Sequence, residues 1–466
     1  MMRMRKKKRK EIKMKYKSLV LAFLASLSFL GCQSTGRSPS FGTVPMALPG
    51  GEEEHLANNK KLAKGLEKEI TQNFTLLMAL KLAFQRNPRI QAARANWKSA
   101  IEKIPQASSY PDPMVSFTHY FKEVETRVGP QKQAFSVSQK IPFPGKLSLK
   151  GSMAEIEAEI QRLKTEETIR NVLADTKIAY AELFYIRRIR RLYQKQKELI
   201  ERYLAFAAKE HGKGKVKAFE LFKAQSFLAQ IGYEEIVLQE MEISQTQILL
   251  SLLNLSPGQN LGKIEAPPFS ELKTTLKEFI DFGEKGNEEL AMALNRVRKA
   301  QVAYTLSKMV YLPDFQVGGK WINTGKALVN TPDNGKDPLM ITVGMNLPIW
   351  FPKNMSAVSE AYSKLERNKQ IFLGVKQRLR AQIAKVYFNM TNSERLVKLY
   401  SNQLIPQARQ AMVSAERSYR EGITGFAGVL ETTSVWLNFQ LAYFRALVDY
   451  FQHRATMEKL IGRVIP

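Results

Sequence analysis

Four histidines, one cysteine and 43 acidic residues are the raw material for metal or nucleophilic chemistry in these 466 residues. His55, His119, His211 and His453 are widely dispersed, and no His-Glu-x-x-His pair would set two imidazoles on one helix face. One cysteine excludes both a disulfide framework and a Cys-rich zinc module. Gly145-Lys146 is followed by Leu147 and lacks the earlier glycine of a phosphate-cradling loop. No Ser/His/Asp set stands out by spacing. The reading is a protein with no catalytic residue, no metal site and no cofactor, so an exported hydrolase finds no support.

The cysteine has a different chemistry open to it. The first seventeen residues hold ten bases against one acid, Glu11, and Leu19 to Leu30 is apolar apart from serines. Those twelve residues make about 18 Å of helix, too short for a bilayer core of roughly 30 Å. This is the layout of a secretory signal over 1–31. Phe29-Leu30-Gly31-Cys32 resembles a bacterial lipobox, which implies lipid attachment at Cys32; the alternative is a chance cysteine after an ordinary signal. Gln33 replaces the aspartate that retains such lipoproteins at the inner membrane, so the outer membrane is expected. Residues 32–58, rich in Ser, Gly and Pro, read as a tether. Without the leader the net charge falls from +28 to +19. The remaining bases are interspersed with acids, which argues against nucleic acid as a partner.

The rest of the chain is written twice. Asn87-Pro88 opens a small-residue helix, and Asn287-Glu288-Glu289 does so 200 residues later. Tyr110-Pro111-Asp112 is echoed by Leu312-Pro313-Asp314, and the stretch from Phe135 to Pro142 by that from Ile341 to Pro348. Two repeats follow, 59–265 and 266–466. Each should carry a long helical hairpin, over 147–254 and 354–463. Residues 147–210 hold no proline, and Val375, Leu379, Ile383, Val386 and Met390 form an apolar stripe of helical period. Pro406 should kink the second run.

Four stretches alternate as strands: about 113–121, 132–141, 314–322 and 338–347. Tyr120, Phe121, Trp321, Trp350 and Phe351 flank them, either as an interfacial aromatic girdle or as packing beneath the hairpins. Nine or ten residues would cross a bilayer as a strand. Four strands cannot close a barrel, and lipid tolerates no open sheet edge, so a membrane reading demands several copies. The bland alternative is a pair of surface hairpins on a helical bundle.

These residues resemble the TolC-like outer membrane efflux family, the outer membrane factors, over roughly residues 70–463. The resemblance rests on Ala83 with Asn87-Pro88, on Pro111-Asp112-Pro113 followed by the run from Phe135 to Lys146, and on Ser418-Tyr419-Arg420-Glu421-Gly422 with Val429-Leu430. It implies a mainly α fold with a small β part: long antiparallel helical coiled hairpins in two repeats and four transmembrane strands per chain. A homotrimer would build one α-barrel and one 12-stranded β-barrel. It implies a passive duct in outer membrane lipid, served by a periplasmic membrane fusion (adaptor) protein and an inner-membrane resistance-nodulation-division pump. The segment from Gln139 to Lys146 is nearest the heavy-metal branch. Alternatives are a periplasmic adaptor, which should carry one hairpin between β domains, and a type I secretion duct.

The family marks the periplasmic tip and gate with Tyr-x-x-Gly, here Tyr419 and Gly422; His211 and Gly214 are the first-repeat counterparts. Where relatives often place a base that bonds this tyrosine, this sequence has Thr424. Of two acids that ring the entrance, Gly428 has lost the first and Glu431 keeps the second.

Overall fold

The computed structural model describes residues 70–212, 216–328 and 332–465. Cys32, the leader, the tether and Gly214 lie outside the described residues. The chain runs β1 (Asn73–Phe74), α1 (Leu76–Arg86), α2 (Pro88–Ser108), β2 (Met114–Val124), β3 (Gln131–Ile141), α3 (Lys146–His211) and α4 (Ala218–Leu252). It then repeats the plan as β4 (Lys263–Ile264), α5 (Leu276–Gly286), α6 (Glu288–Lys308), β5 (Phe315–Thr324), β6 (Leu339–Met345), α7 (Phe351–Leu399), α8 (Ile405–Arg420) and α9 (Phe426–Ile461). The protein is mainly α, with two long antiparallel helical hairpins and a small sheet.

The duplicated asparagines do the same work twice. The Asn87 side-chain oxygen accepts from the Arg89 N–H at 2.9 Å and caps α2, while its Nδ2 donates to the Leu252 carbonyl at 2.8 Å. Asn287 accepts from the Leu290 N–H at 2.9 Å and donates to the Leu460 carbonyl at 3.0 Å. Each cap therefore starts a short helix and pins the far end of its own repeat's long hairpin.

α3 is 66 residues, about 99 Å at 1.5 Å per residue. Its unbroken course follows from an interior without proline. In the second repeat a π-helical turn, Tyr400–Leu404, separates α7 from α8 directly before Pro406. Proline has no N–H to give the preceding turn, and one wide turn absorbs the fault. No described helix is long and apolar enough to cross a membrane.

Besides a minor cluster of Ile160, Leu163 and Met292, a larger and a smaller apolar core lie along the hairpins. The larger gathers Leu183 and Ile186 of α3, Leu249 of α4, Leu379, Ile383 and Met390 of α7, and Leu447 and Val448 of α9. The smaller holds Ile200, Ala207, Ala224, Ile231, Phe426 and Leu430 near the hairpin ends. Gln196 and Thr433 are buried polar residues of α3 and α9. Gln196 Nε2 and Thr433 Oγ1 are shielded from solvent without a hydrogen-bond partner among the described residues. Charged pairs tie the repeats together: Arg445 to Glu182 at 3.0 Å, Lys177 to Glu458, and Arg170 to Glu288.

The four-stranded sheet has the order β2-β3-β5-β6, antiparallel throughout. β3 and β5 join the two repeats in register, with Phe135 opposite Trp321 and Val137 opposite Gly319. β2 ends three residues later than the alternation predicts, at Val124, through a bulge after His119. β6 ends at Met345; at the next register position the Asn346 N–H still donates to the Asp314 carbonyl at 3.2 Å, but its side-chain oxygen, not its carbonyl, accepts from the Asp314 N–H.

Candidate functional site at the sheet and the hairpin tips

Register places apolar side chains in rows across one face of the sheet. Phe117, Phe135, Trp321 and Leu339 form one row, and Val115, Val137, Gly319 and Ile341 the next. The Phe117 and Phe135 rings lie 4.8 Å apart, and Phe135 stacks on Trp321 at 6.0 Å. In a single chain these residues face solvent: Val115 is 70% exposed, Ile341 80% and Val343 71%. The opposite face carries Ser116, Ser136 and Lys320 in one row, with the Ser116 and Ser136 hydroxyls 2.7 Å apart. β2 and β6 each have one neighbour, so both outer edges of the sheet are unpaired among the described residues. Phe121, Trp350 and Phe351 at its margins are exposed, Trp321 lies within its apolar face, and Tyr120 is half-buried.

The base of the sheet explains two sequence motifs. Lys146, the first residue of α3, donates through Nζ to Asp314 Oδ1 and to the Leu312 carbonyl, each at 2.8 Å. Asp314 also accepts from the Phe143 N–H at 3.0 Å. The Pro-Asp of the second repeat thus ties down the Phe143-Pro144-Gly145-Lys146 corner of the first. One half-buried charge-assisted pair fixes both strand exits.

At the other end of the helices, α8 stops in a Schellman turn. The Gly422 N–H donates to the Tyr419 carbonyl at 3.0 Å and the Ile423 N–H to Ser418 at 2.9 Å. Gly422 sits at φ +74°, a left-handed conformation that glycine enters without a Cβ clash. Tyr419 turns inward, its ring 5.4 Å from Phe426 and 5.9 Å from Phe206. Its hydroxyl is shielded from solvent without a hydrogen-bond partner among the described residues. Burial first, then the Glu220 and Glu210 carboxylates, push that hydroxyl's pKa up. Thr424 makes no latch to it; the Thr424 N–H donates to the Ser418 carbonyl at 3.3 Å.

Of the residues the sequence singles out here, the structure brings Tyr419, Gly422, Thr424, Gly428 and Glu431 to one end of the second hairpin. His211 ends α3, with Nδ1 2.6 Å from the Val216 carbonyl oxygen across the first hairpin's turn. Both hairpin ends contribute to the small core, α3 and α4 through Ala207 and Ala224, α9 through Phe426. Glu431 is exposed, one turn below the start of α9, and Gly428 is half-buried.

The sequence reading missed Glu220. It is buried, with a carboxylate oxygen so near Gly425 that a Cβ there would lie 2.5 Å from it. Gly425 is the N-cap of α9, so Glu220 sets a negative charge against a helix N-terminus that has no side-chain cap. An acid in the first turn of its own helix is common, which is why Glu220 gave no signal.

Two long helical hairpins and one four-stranded sheet shared between the repeats make up the fold. The sequence model of the outer membrane efflux protein family matches residues 79–254 and 284–463, and the chain belongs to that family. It is an outer membrane efflux channel protein. Solved structures share its fold. The outer membrane protein VceC from Vibrio cholerae has a TM-score of 0.70 at 17% identity, covering 84% of this chain and 97% of its own. The CmeC outer membrane channel of Campylobacter jejuni gives 0.68 at 13% identity, with 83% and 85% covered. CusC, described for its transmembrane channel formation, gives 0.71 at 9% identity, with 84% and 93% covered. No curated protein matches the sequence.

Proposed function

We propose that three copies assemble into one passive export duct, a 12-stranded barrel in the outer membrane continued by a helical barrel through the periplasm. The observation that carries this reading is the sheet. It has one apolar face, one polar face and two free edges, which lipid forbids unless neighbouring copies pair them. The apolar rows would face lipid, with the exposed aromatics as the girdle, and the serine row would line the lumen. The domain plan is a signal over 1–31, a tether over 32–58 lipid-anchored through Cys32, and repeats over 59–265 and 266–466.

The hairpin tips would form the closable end and dock a periplasmic adaptor fed by an inner-membrane resistance-nodulation-division pump. His211, Gly214, Tyr419, Gly422, Thr424, Gly428 and Glu431 sit there in this reading. Glu431, repeated by threefold symmetry, would hold three carboxylates around one axis and favour cations. With Tyr419 unlatched by any base, closure would rest on ring packing of Phe206, Tyr419 and Phe426. The chain performs no reaction; what passes is set by the pump, and the Gln139–Lys146 segment points to the heavy-metal branch. An adaptor does not fit two hairpin units sharing one sheet. Purified protein added to a planar bilayer should give discrete ion-conducting steps. Protein that neither enters the bilayer nor conducts would overturn the proposal.

A further inference from the structure

Even without its leader the chain carries a net charge of +19, which is no requirement of a duct that favours cations, and one place where the excess gathers is a cleft. It lies between α3, α4 and the segment entering β4, with a volume of ≈ 380 Å³. Arg187, Arg190, Arg191 and Lys263 line it against a single acid, Glu242.

Arg187 makes two bonds, with Nε on Glu242 Oε1 at 2.8 Å and Nη1 on the Gly262 carbonyl at 2.6 Å. Arg190 reaches Glu242 Oε2 with Nη1 at 2.9 Å. Two guanidinium groups therefore share one carboxylate, and one positive charge is left over there. Arg190 Nε is shielded from solvent with no acceptor among the described residues, and a buried donor left so is costly. Clamping α3 to α4 needs only Arg187, Arg190 and Glu242. Arg191 is exposed and stands outside that clamp, and Lys263 pairs with Glu265 at 3.8 Å with both side chains largely exposed.

We propose that this cleft binds an oxyanion, a phosphate or carboxylate group, through Arg190, Arg191 and Lys263. The planar fork of arginine suits such groups, and a surplus of cations in a concave site concentrates them. Arg190 lies 44 residues into α3 from Lys146, about 66 Å along the helix from the sheet. A bilayer around the sheet has a core of roughly 30 Å, so on the duct reading membrane lipid is out of reach. The ligand is then a free anion of the periplasm or an anionic group carried on a polymer there.

The test is calorimetric titration of the full mature protein in detergent at low salt, with inorganic phosphate for the free anion and polyglutamate for a polymer-borne carboxylate. Saturable binding of either probe at one site per chain is expected, weakened about tenfold by the double variant Arg191→Gln/Lys263→Gln. Arg190→Lys keeps the charge but loses the fork and should weaken it too, whereas Lys364→Gln, in a separate cleft, should not. Identical curves for the wild type and the double variant, or displacement by chloride at equal ionic strength, would overturn the site. Neither oligomeric state nor conductance enters this readout, so its failure leaves the duct reading standing.

Discussion

Two glycines close together at the same hairpin end should respond to alanine with opposite signs. A Cβ at either Gly422 or Gly428 would meet nothing within 4 Å, so packing drops out of the comparison. What remains is backbone. Gly422 holds φ +74°, where a Cβ costs about 1–2 kcal/mol. Gly428 lies inside α9, where alanine gains roughly 0.5–1 kcal/mol over glycine. Gly422→Ala should therefore speed local opening about fivefold to thirtyfold, and Gly428→Ala should slow it about twofold to fivefold. Native-state hydrogen exchange reads this at the Gly422 and Ile423 amides, whose bonds to Tyr419 and Ser418 close the turn. Gly422→Val should go further and impair export while the sheet persists. Slowed exchange in Gly422→Ala, or unaltered export with valine there, would refute the role given to the turn.

In the distal half of α3, Tyr193 and Tyr203 have pKa values pushed by burial from 10.0 to about 12. Their neutral forms favour the folded hairpin, so its stability should be intact below pH 10 and fall as pH climbs toward 12. Tyrosinate absorbance should lag behind free tyrosine across that window, and a normal titration centred at 10 would contradict the burial. Thr433→Val removes a buried hydroxyl without a partner and should raise stability by about 1–3 kcal/mol against denaturant; a loss would mean that the hydroxyl has a partner in the assembly. Glu431→Gln should lower cation preference in planar bilayers, and unchanged reversal potentials would remove Glu431 from the entrance. Cys32→Ser should end incorporation of labelled fatty acid, and continued labelling would move the lipid elsewhere.

Periodicity and punctuation made most of the fold legible. A stretch without proline announced α3 almost to the residue, and Pro406 marked the place where a π turn now sits. Repetition of Asn87 and Asn287 announced two equivalent helix starts. Their second role, gripping the far ends of α4 and α9, was hidden because a sequence shows a cap but not a partner 165 or 173 residues away. Leu312-Pro313-Asp314 shows in the sequence only as an echo of Tyr110-Pro111-Asp112, yet the Asp314 carboxylate is half of the pair that fixes Lys146. Local pattern carries no record of such long-range pairing. Strand ends slipped for a related reason, since the bulge after His119 and the side-chain bond of Asn346 to Asp314 depend on neighbouring strands. Gln196 lies in a charged stretch and reads as a solvated face; only packing of α3 reveals it as buried.

Whether three chains share one barrel is answered most directly by the native mass of the mature protein extracted from outer membranes in detergent. Three chains, each heavier by a lipid, are predicted from the two free sheet edges and from Cys32. A stable monomer would contradict the barrel and return the sheet to the surface of a helical bundle.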